Sequence, residues 1–305
     1  MIDGYVTKLM ENLPVQLQNN NKPLRLDIIL DSGAFNGSYL IGALYFLKEL
    51  EKRKHVVVER ISGASIGSLI GFMYCIDRLD MVCDMYNICR DNLSNDHNLK
   101  CMTTDLKEQL NDLPDNVCEL VNHRLYITYN NVKKGTKPIK CVYKSGDDIL
   151  NSIIRSCFMP FVMNRDIVYD GKYIDGINPY VFKPKPNKKI LYLSLIEFDK
   201  IQGIFNIKNE KTNFHRIMTG LLDIHSFYVK GSSTSMCSYV SEWTVQHKCK
   251  HLIRYMFEKI LVHTIILVLF IKKHVSVHFE SNLLYKIISR LSCEIFSILV
   301  ETYCI

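Results

Sequence analysis

Residues 56–75 have the sequence VVVERISGASIGSLIGFMYC, and the predominant residue types change twice along this stretch. The β-branched run that starts at Val56 and includes Ile61 predicts a buried strand. Gly63 to Gly67 predicts a tight turn, and the small and apolar residues from Ser68 to Ile76 predict a buried helix. The stretch therefore predicts a strand, a turn and a helix in succession.

The same succession is predicted immediately upstream. Leu26 to Leu30 is a short apolar run typical of a buried strand, and Asp31 to Gly37 is a turn with two glycines. From Ser38 the apolar residues recur at helical spacing until the chain reaches Lys54. Two consecutive units of this kind predict an α/β fold with a mostly parallel central sheet covered by helices.

Weaker patterns predict the elements that follow. They are a polar helical stretch at Asp80–Asn116, a strand at Leu125–Tyr129, its partner at Pro138–Tyr143, a helix at Asp147–Cys157, a β-turn-β element at Asp166–Tyr173 and a final core strand at Ile190–Leu195. The helix is expected to stop before Pro160, because proline cannot continue the hydrogen-bonding pattern.

The C-terminal region, residues 201–305, is predicted to be helical. Ile260 to Ile271 is apolar apart from two residues and is followed by Lys272 and Lys273, and Asn282 to Val300 repeats a helical pattern. A bilayer-spanning helix needs about 20 apolar residues, so the first segment alone is short. Two interpretations stay open: helices that pack on the preceding domain, or a tail that associates with a membrane.

Composition excludes several classes of function. The chain of 305 residues has a net charge of +7 but lacks long basic runs, so no nucleic-acid partner is expected. Its 11 cysteines form no Cys-x-x-Cys pair and its histidines form no His-Glu-x-x-His, so neither a metal site nor a cofactor is predicted. The N-terminus lacks the apolar core of a signal peptide, which predicts an intracellular, cytoplasmic setting.

Ser65 is the first candidate catalytic residue. Gly63, Ser65 and Gly67 form a Gly-x-Ser-x-Gly motif between a predicted strand and a predicted helix, the context of a nucleophile elbow. The turn is sharp, and a Cβ at either glycine would collide with the neighbouring strand or helix. The N-terminus of the following helix also favours developing negative charge. Ser65 is therefore predicted to be the nucleophile of an acyl hydrolase.

A serine nucleophile needs an oxyanion hole and a proton acceptor. The loop after the first strand, with Ser32, Gly33, Ala34 and Gly37, offers main-chain N–H groups beside a helix N-terminus. No histidine lies in a recognisable loop at a strand end. Asp175, which lies directly before Gly176 at the end of a predicted strand, is the better candidate for the base.

In this order the motifs resemble those of the patatin-like phospholipases. Asp31–Gly37 stands where that family has Asp-Gly-Gly-Gly-x-Arg-Gly, Gly63–Gly67 matches the family's Gly-x-Ser-x-Gly, and Asp175–Ile177 stands where it has Asp-Gly-Gly or Asp-Gly-Ala. Ser156–Phe161 is similar to the family's Ala-Ser-x-Ala-x-Pro segment. The resemblance covers residues 24–200 and implies a patatin-like three-layer sandwich that forms the catalytic domain.

The resemblance also implies a mechanism and a substrate. Ser65 and Asp175 would form a catalytic dyad without histidine, and main-chain N–H groups near Gly33 and Ala34 would hold the oxyanion. The substrate would be a phospholipid or another lipid ester, hydrolysed through an acyl-enzyme at a membrane surface. The apolar segment Ile260–Ile271, with Arg254 and the lysines after it, would suit docking on an anionic bilayer.

Several residues depart from the family pattern. Ser32 and Ala34 replace glycines, Asn36 replaces a basic residue near the expected oxyanion, and Ile177 replaces a small residue beside Asp175. Two alternatives to a phospholipase A therefore remain open. One is an acyltransferase or triacylglycerol lipase on the same scaffold, and the other is a non-catalytic lipid-binding protein.

Overall fold

The computed structural model describes residues 2–14, 22–109, 113–197, 200–207 and 210–279, together with residues 290, 294, 297, 298, 301 and 302. The helix predicted at Asn282–Val300 falls almost entirely outside the described residues.

The strands and helices alternate along the first half of the chain. The strands are β1 (Leu24–Leu30), β2 (Val56–Ala64), β3 (Leu125–Thr128), β4 (Asn130–Asn131), β5 (Ile139–Lys140), β6 (Tyr173–Ile174), β7 (Lys189–Leu193) and β8 (Cys237–Tyr239). The α-helices are α1 (Ile2–Glu11), α2 (Gly37–Lys52), α3 (Ile66–Cys75), α4 (Met81–Asp96), α5 (Cys101–Gln109), α6 (Val117–Val121), α7 (Gly146–Cys157), α8 (Phe214–Lys230) and α9 (Val245–Phe279). A short 3-10 helix at Ala34–Asn36 joins β1 to α2.

Six of these strands form the central sheet, in the order β5-β3-β2-β1-β7-β8. The inner four strands are parallel, and β5 and β8 pair antiparallel at the two edges. The predicted α/β fold with a mostly parallel sheet is confirmed. The strand predicted near Ile190–Leu195 is present as β7, but it is not the last one, because β8 pairs with it. The prediction missed β8 because a strand of three residues carries too little hydrophobic alternation to detect.

Helices cover one face of the sheet. Ile28 of β1 points into a core shared with α2, α3, α7 and α8, whereas Ile29 points to the opposite face. Helices α2 and α8 approach closely: a Cβ at Gly42 would lie 1.9 Å from the carbonyl oxygen of Ile217, so only glycine fits there. Helix α8 belongs to this helical layer and β8 belongs to the sheet. Both the layer and the sheet therefore continue past residue 200, where the catalytic domain was predicted to end.

The opposite face is covered mainly by aromatic side chains. Phe182 and Tyr192 are buried there with Ile29, and Trp243 packs against this cluster. The Trp243 ring also contacts the ring of His251 on α9, with centroids 5.4 Å apart. The start of α9 thus lies beside this second face.

The apolar run predicted at Ile260–Ile271 lies within α9. Its inward residues Val262 and Ile265 are buried against Val132 and Ile174, as the packed-helix interpretation expects. Other apolar residues of α9 remain exposed. Within the described part of the chain, no helix combines the length and the apolar character needed to cross a bilayer.

Candidate active site

Ser65 lies at the junction of β2 and α3, in a conformation that few residues other than glycine adopt. Its φ is 51° and its ψ is −130°. A Cβ at Gly63 would lie 2.4 Å from the Gly67 carbonyl oxygen, and a Cβ at Gly67 would lie 2.6 Å from the carbonyl oxygen of Asp31. The close approach of β1, β2 and α3 thus requires both glycines. The strained turn raises Ser65 above the end of the sheet.

Asp175 follows β6, and the fold brings it to Ser65. The Ser65 hydroxyl Oγ donates a hydrogen bond of 2.8 Å to Asp175 Oδ2. The other carboxylate oxygen, Oδ1, accepts the N–H of Ile177 at 3.0 Å. Burial raises the pKa of Asp175 to about 7, although these two hydrogen bonds oppose the shift. A carboxylate with a pKa near 7 accepts a proton at neutral pH far better than an ordinary aspartate does.

Ser156, at the end of α7, holds the nucleophile's main chain. Its Oγ accepts the N–H of Ser65 at 2.9 Å and donates to the carbonyl oxygen of Thr128 at 2.7 Å. The same Thr128 carbonyl lies 2.0 Å from where a Cβ on Gly176 would be, so only glycine fits after Asp175. The role of Ser156 was not predictable from the sequence, because nothing in the segment Ser156–Phe161 indicates a hydrogen bond to residue 65.

The loop after β1 presents fewer free donors than the sequence predicted. The N–H of Ser32 donates to Oδ1 of Asp31 at 2.9 Å, and the N–H of Gly37 donates to the Ala34 carbonyl in the 3-10 turn. No described residue accepts a hydrogen bond from the N–H of Gly33 or Ala34. The predicted set of oxyanion donors therefore narrows to Gly33 and Ala34, and their role stays a prediction.

Asn36, where the family has a basic residue, is fully buried beneath this loop. Its amide Nδ2 donates to the Lys200 carbonyl at 2.8 Å, and its Oδ1 accepts Nη1 of Arg216 at 2.7 Å. Arg216 on α8 is itself buried and forms an ion pair with Glu210. The guanidinium of Arg216 thus lies next to Asn36, the position at which the family has a basic residue and this sequence does not.

An apolar cavity opens beside Ser65 and encloses about 610 Å³, part of it open to solvent. Helices α4 and α5 form its far wall. The residues that line it are Ala34, Phe35, Gly37, Ser38, Ser65, Ile66, Leu69, Val82, Met85, Tyr86, Cys89, Leu99, Met102, Cys157 and Met159. The three methionines can adapt to a flexible apolar ligand.

Helix α9 reaches the site from the C-terminal region. Arg254 Nη1 donates to Asp31 Oδ2 at 2.9 Å, and Nη2 donates to Asp31 Oδ1. Glu258, one turn later, accepts a hydrogen bond from Asn130. The expectation that Arg254 helps to dock the protein on an anionic bilayer is wrong, because its charge is paired with Asp31. The signal for these residues was that Arg254 and Glu258 interrupt the largely apolar stretch from Leu252 to Val262.

Among the described residues, no three His, Cys, Asp or Glu side chains are placed to hold a metal ion.

Comparison with known proteins agrees with the motifs. The family model for patatin-like phospholipases matches residues 28–177. The match starts within β1 and ends just after Asp175, so it includes the loop after β1 and both candidate catalytic residues. A comparison with individual curated proteins found no match. The family is one of lipid acyl hydrolases. The chain therefore contains a patatin-like phospholipase domain at residues 28–177.

Proposed function

We propose that this protein is a phospholipase of the A type, which hydrolyses fatty acyl esters of phospholipids with Ser65 as nucleophile and Asp175 as general base. One observation carries the proposal: the hydrogen bond of 2.8 Å from Ser65 Oγ to Asp175 Oδ2, at the mouth of an apolar cavity. The hydrogen bond supplies an activated hydroxyl, and the cavity offers a place for the acyl chain.

The first half-reaction forms an acyl-enzyme. Ser65 Oγ attacks the ester carbonyl carbon, and its proton passes to Asp175 Oδ2. The carbonyl oxygen becomes an oxyanion, which accepts hydrogen bonds from the N–H groups of Gly33 and Ala34. The intermediate then collapses and the C–O bond to the alcohol breaks. The leaving lysophospholipid takes the proton from Asp175.

The second half-reaction uses water in place of the serine. Asp175 accepts a proton from water as the oxygen attacks the acyl carbon on Ser65. The second tetrahedral intermediate collapses, the fatty acid leaves, and the proton returns to Ser65 Oγ. The raised pKa of Asp175 suits both directions of transfer, because a group with a pKa near the ambient pH gains and loses a proton with similar ease.

A lipid substrate also needs a surface on which the protein can meet the bilayer. The outer side of α9 offers one, and three of its residues are 60–64% exposed: Ile253, Phe257 and Ile260. Further exposed apolar residues continue along the same helix, namely Leu252, Met256, Leu267, Phe270 and Ile271. A helix with one buried and one exposed apolar side suits peripheral association with a membrane.

The test of the chemistry measures fatty acid release from mixed phosphatidylcholine and phosphatidylglycerol vesicles. Release by the wild type is expected to disappear in Ser65→Ala and in Asp175→Asn. Ser232→Ala and Asp115→Asn provide matched controls, since both positions are exposed and lie outside the site. Equal release by the wild type and Ser65→Ala, or none by a folded wild type, would refute the proposal.

The test of docking separates binding from chemistry. A triple variant, Ile253→Ser, Phe257→Ser and Ile260→Ser, is expected to lose co-sedimentation with the vesicles and to lose vesicle hydrolysis. Its hydrolysis of a water-soluble short-chain ester is expected to stay unchanged. Val142→Ser, which changes an exposed apolar residue elsewhere, is the control. Undiminished vesicle binding by the triple variant would remove α9 as the docking surface.

A further inference from the structure

Helix α9 carries two charged side chains one turn apart, the partly buried Arg254 and the buried Glu258, and each contacts a different half of the candidate site. Arg254 pairs with Asp31 at the start of the oxyanion loop, and Glu258 is hydrogen-bonded to the segment that holds Asp175. We infer that Arg254 and Glu258 are positioning residues, which align the oxyanion loop and the catalytic aspartate through a single helix. The inference rests on the proposed function, since it assigns roles around the same dyad.

Asp31 connects Arg254 to the oxyanion loop. The guanidinium of Arg254 contacts both carboxylate oxygens of Asp31, an arrangement that fixes direction as well as distance. The carboxylate also accepts the N–H of Ser32 at 2.9 Å and that of Leu195 at 3.0 Å. Because Ser32 directly precedes Gly33, the orientation of Asp31 sets where the free N–H groups of the loop point.

Asn130 connects Glu258 to the dyad. Its amide Nδ2 donates to Glu258 Oε1 at 2.9 Å and to the main-chain oxygen of Asp175 at 2.8 Å. On the other side of Asp175, the amide of Asn178 donates to Glu258 Oε2 at 2.8 Å. Glu258 therefore supports the segment of the catalytic aspartate at two points: at the main-chain oxygen of Asp175 through Asn130, and three residues later at Asn178.

Lys137 balances the charge of Glu258. Its ammonium lies 2.6 and 2.7 Å from the two carboxylate oxygens, and Glu258 is only 1% exposed. A buried ion pair is seldom the most stable solution, because well-packed apolar residues of similar volume often stabilise a fold as much or more. Asn130 and Asn178 connect this ion pair to the segment of Asp175, which favours a role in positioning the catalytic aspartate.

The relative position of the oxyanion loop and the dyad matters because both must be aligned with the substrate at the same time. The oxyanion loop and the dyad lie on separate segments, and α9 contacts both through residues on the same face. A displacement of about 1 Å between reacting groups can reduce the rate about 100-fold. Loss of either contact is therefore expected to reduce kcat and leave KM nearly unchanged.

The charged groups around Asp175 provide a second readout. Ser65, Lys137 and Glu258 influence its ionisation, and Cys157 is buried nearby. The negative charge of Glu258 raises the pKa of Asp175, and the positive charge of Lys137 lowers it. Neutralising Glu258 alone leaves Lys137 in place, so the acidic limb of the pH–rate profile should move to lower pH.

The experiment compares Glu258→Gln with Glu242→Gln on a water-soluble ester between pH 5 and 9. Both variants replace an acid with its amide, but Glu242 is exposed and outside the site. For Glu258→Gln we expect kcat to fall about 10- to 100-fold, KM to change less than about twofold, and the acidic limb to shift to lower pH. Glu242→Gln should match the wild type in all three.

Arg254→Lys tests the other half of the helix. Lysine keeps the charge but loses the two-pronged contact with Asp31. We expect a similar fall in kcat with the acidic limb unchanged, because Arg254 contacts the oxyanion loop and not Asp175. If the unpaired Lys137 prevents Glu258→Gln from folding, the double variant Lys137→Met, Glu258→Gln removes both charges. It should fold and still show the reduced kcat.

The outcomes separate the two proposals. A wild type without hydrolytic activity refutes the proposed function and the positioning roles with it. An active wild type together with folded Glu258→Gln and Arg254→Lys variants that retain its kcat and pH profile refutes the positioning roles alone.

Discussion

Replacing Asp175 with asparagine should abolish hydrolysis and at the same time stabilise the fold at alkaline pH. The side chain is only 8% exposed, and burial raises its pKa to about 7. An aspartate in the unfolded chain has a pKa of about 3.9. Ionised Asp175 is therefore less stable in the folded protein than in the unfolded one. Asparagine has nearly the same shape and carries no charge.

The size of the effect follows from the two pKa values. Each pH unit between them corresponds to about 1.4 kcal/mol, so ionised Asp175 lowers the free energy of unfolding by about 4 kcal/mol at pH 8. The destabilisation is absent below the unfolded pKa, grows between pH 4 and 7, and is complete above pH 7. The amide accepts only one of the two hydrogen bonds that the carboxylate accepts from Ser65 and Ile177, which offsets about 1 kcal/mol.

Urea unfolding at pH 8 and pH 4 checks this prediction. We expect Asp175→Asn to exceed the wild type by about 3 kcal/mol at pH 8 and to show no gain at pH 4. Asp115→Asn, at an exposed position, should show no difference at either pH. A gain that persists at pH 4, or a loss at pH 8, would contradict the buried and ionised state of Asp175.

The same pKa governs the wild-type rate. With Asp175 as the proposed general base, hydrolysis needs its ionised form, so kcat/KM should fall about tenfold per pH unit below pH 7 and be about 100-fold lower at pH 5 than at pH 8. A rate independent of pH over this range would exclude Asp175 as the general base.

Three further substitutions test the surroundings of the dyad. Ser156→Ala leaves the N–H of Ser65 without its partner at 2.9 Å, and urea unfolding should show a loss of about 1–3 kcal/mol; no loss would mean that the hydroxyl is dispensable. Gly176→Ala places a Cβ 2.0 Å from a main-chain oxygen, so hydrolysis should fall to background, whereas Gly4→Ala, with nothing within 4 Å, should match the wild type. Met85→Trp fills part of the cavity, and kcat/KM over a series of p-nitrophenyl esters should shift toward shorter acyl chains; an unchanged preference would place the acyl chain elsewhere.

Much of the fold could be predicted because it depends on local patterns. The first two strand–turn–helix units were predicted close to their observed bounds, since their hydrophobic periods are distinct. The elbow around Ser65 was predictable for a related reason, because the close approach of two main chains requires glycine at defined spacing. Asp175 required the resemblance to a family as well, because an aspartate before a glycine also occurs in ordinary turns.

The remaining features depend on contacts between distant parts of the chain. Nothing near Ser32 or Gly37 indicates that their N–H groups have partners, and these depend on the rotamer of Asp31 and on the 3-10 turn. The pairing of Arg254 with Asp31 joins residues 223 positions apart. A sequence shows that Arg254 lies among apolar residues, but only the folded chain shows which residue neutralises its charge.

The position of α9 near the end of the described chain bears on when the protein becomes competent during its synthesis. Ser65 and Asp175 have both left the ribosome well before Arg254 and Glu258 are made. At about 5–20 residues per second, the ribosome needs several seconds more to reach Glu258. Until then Asp31 and Lys137 lack their counter-charges. A nascent chain would thus hold both members of the dyad without the helix that aligns them, and would hydrolyse the lipids of the cell that makes it more slowly than the finished protein.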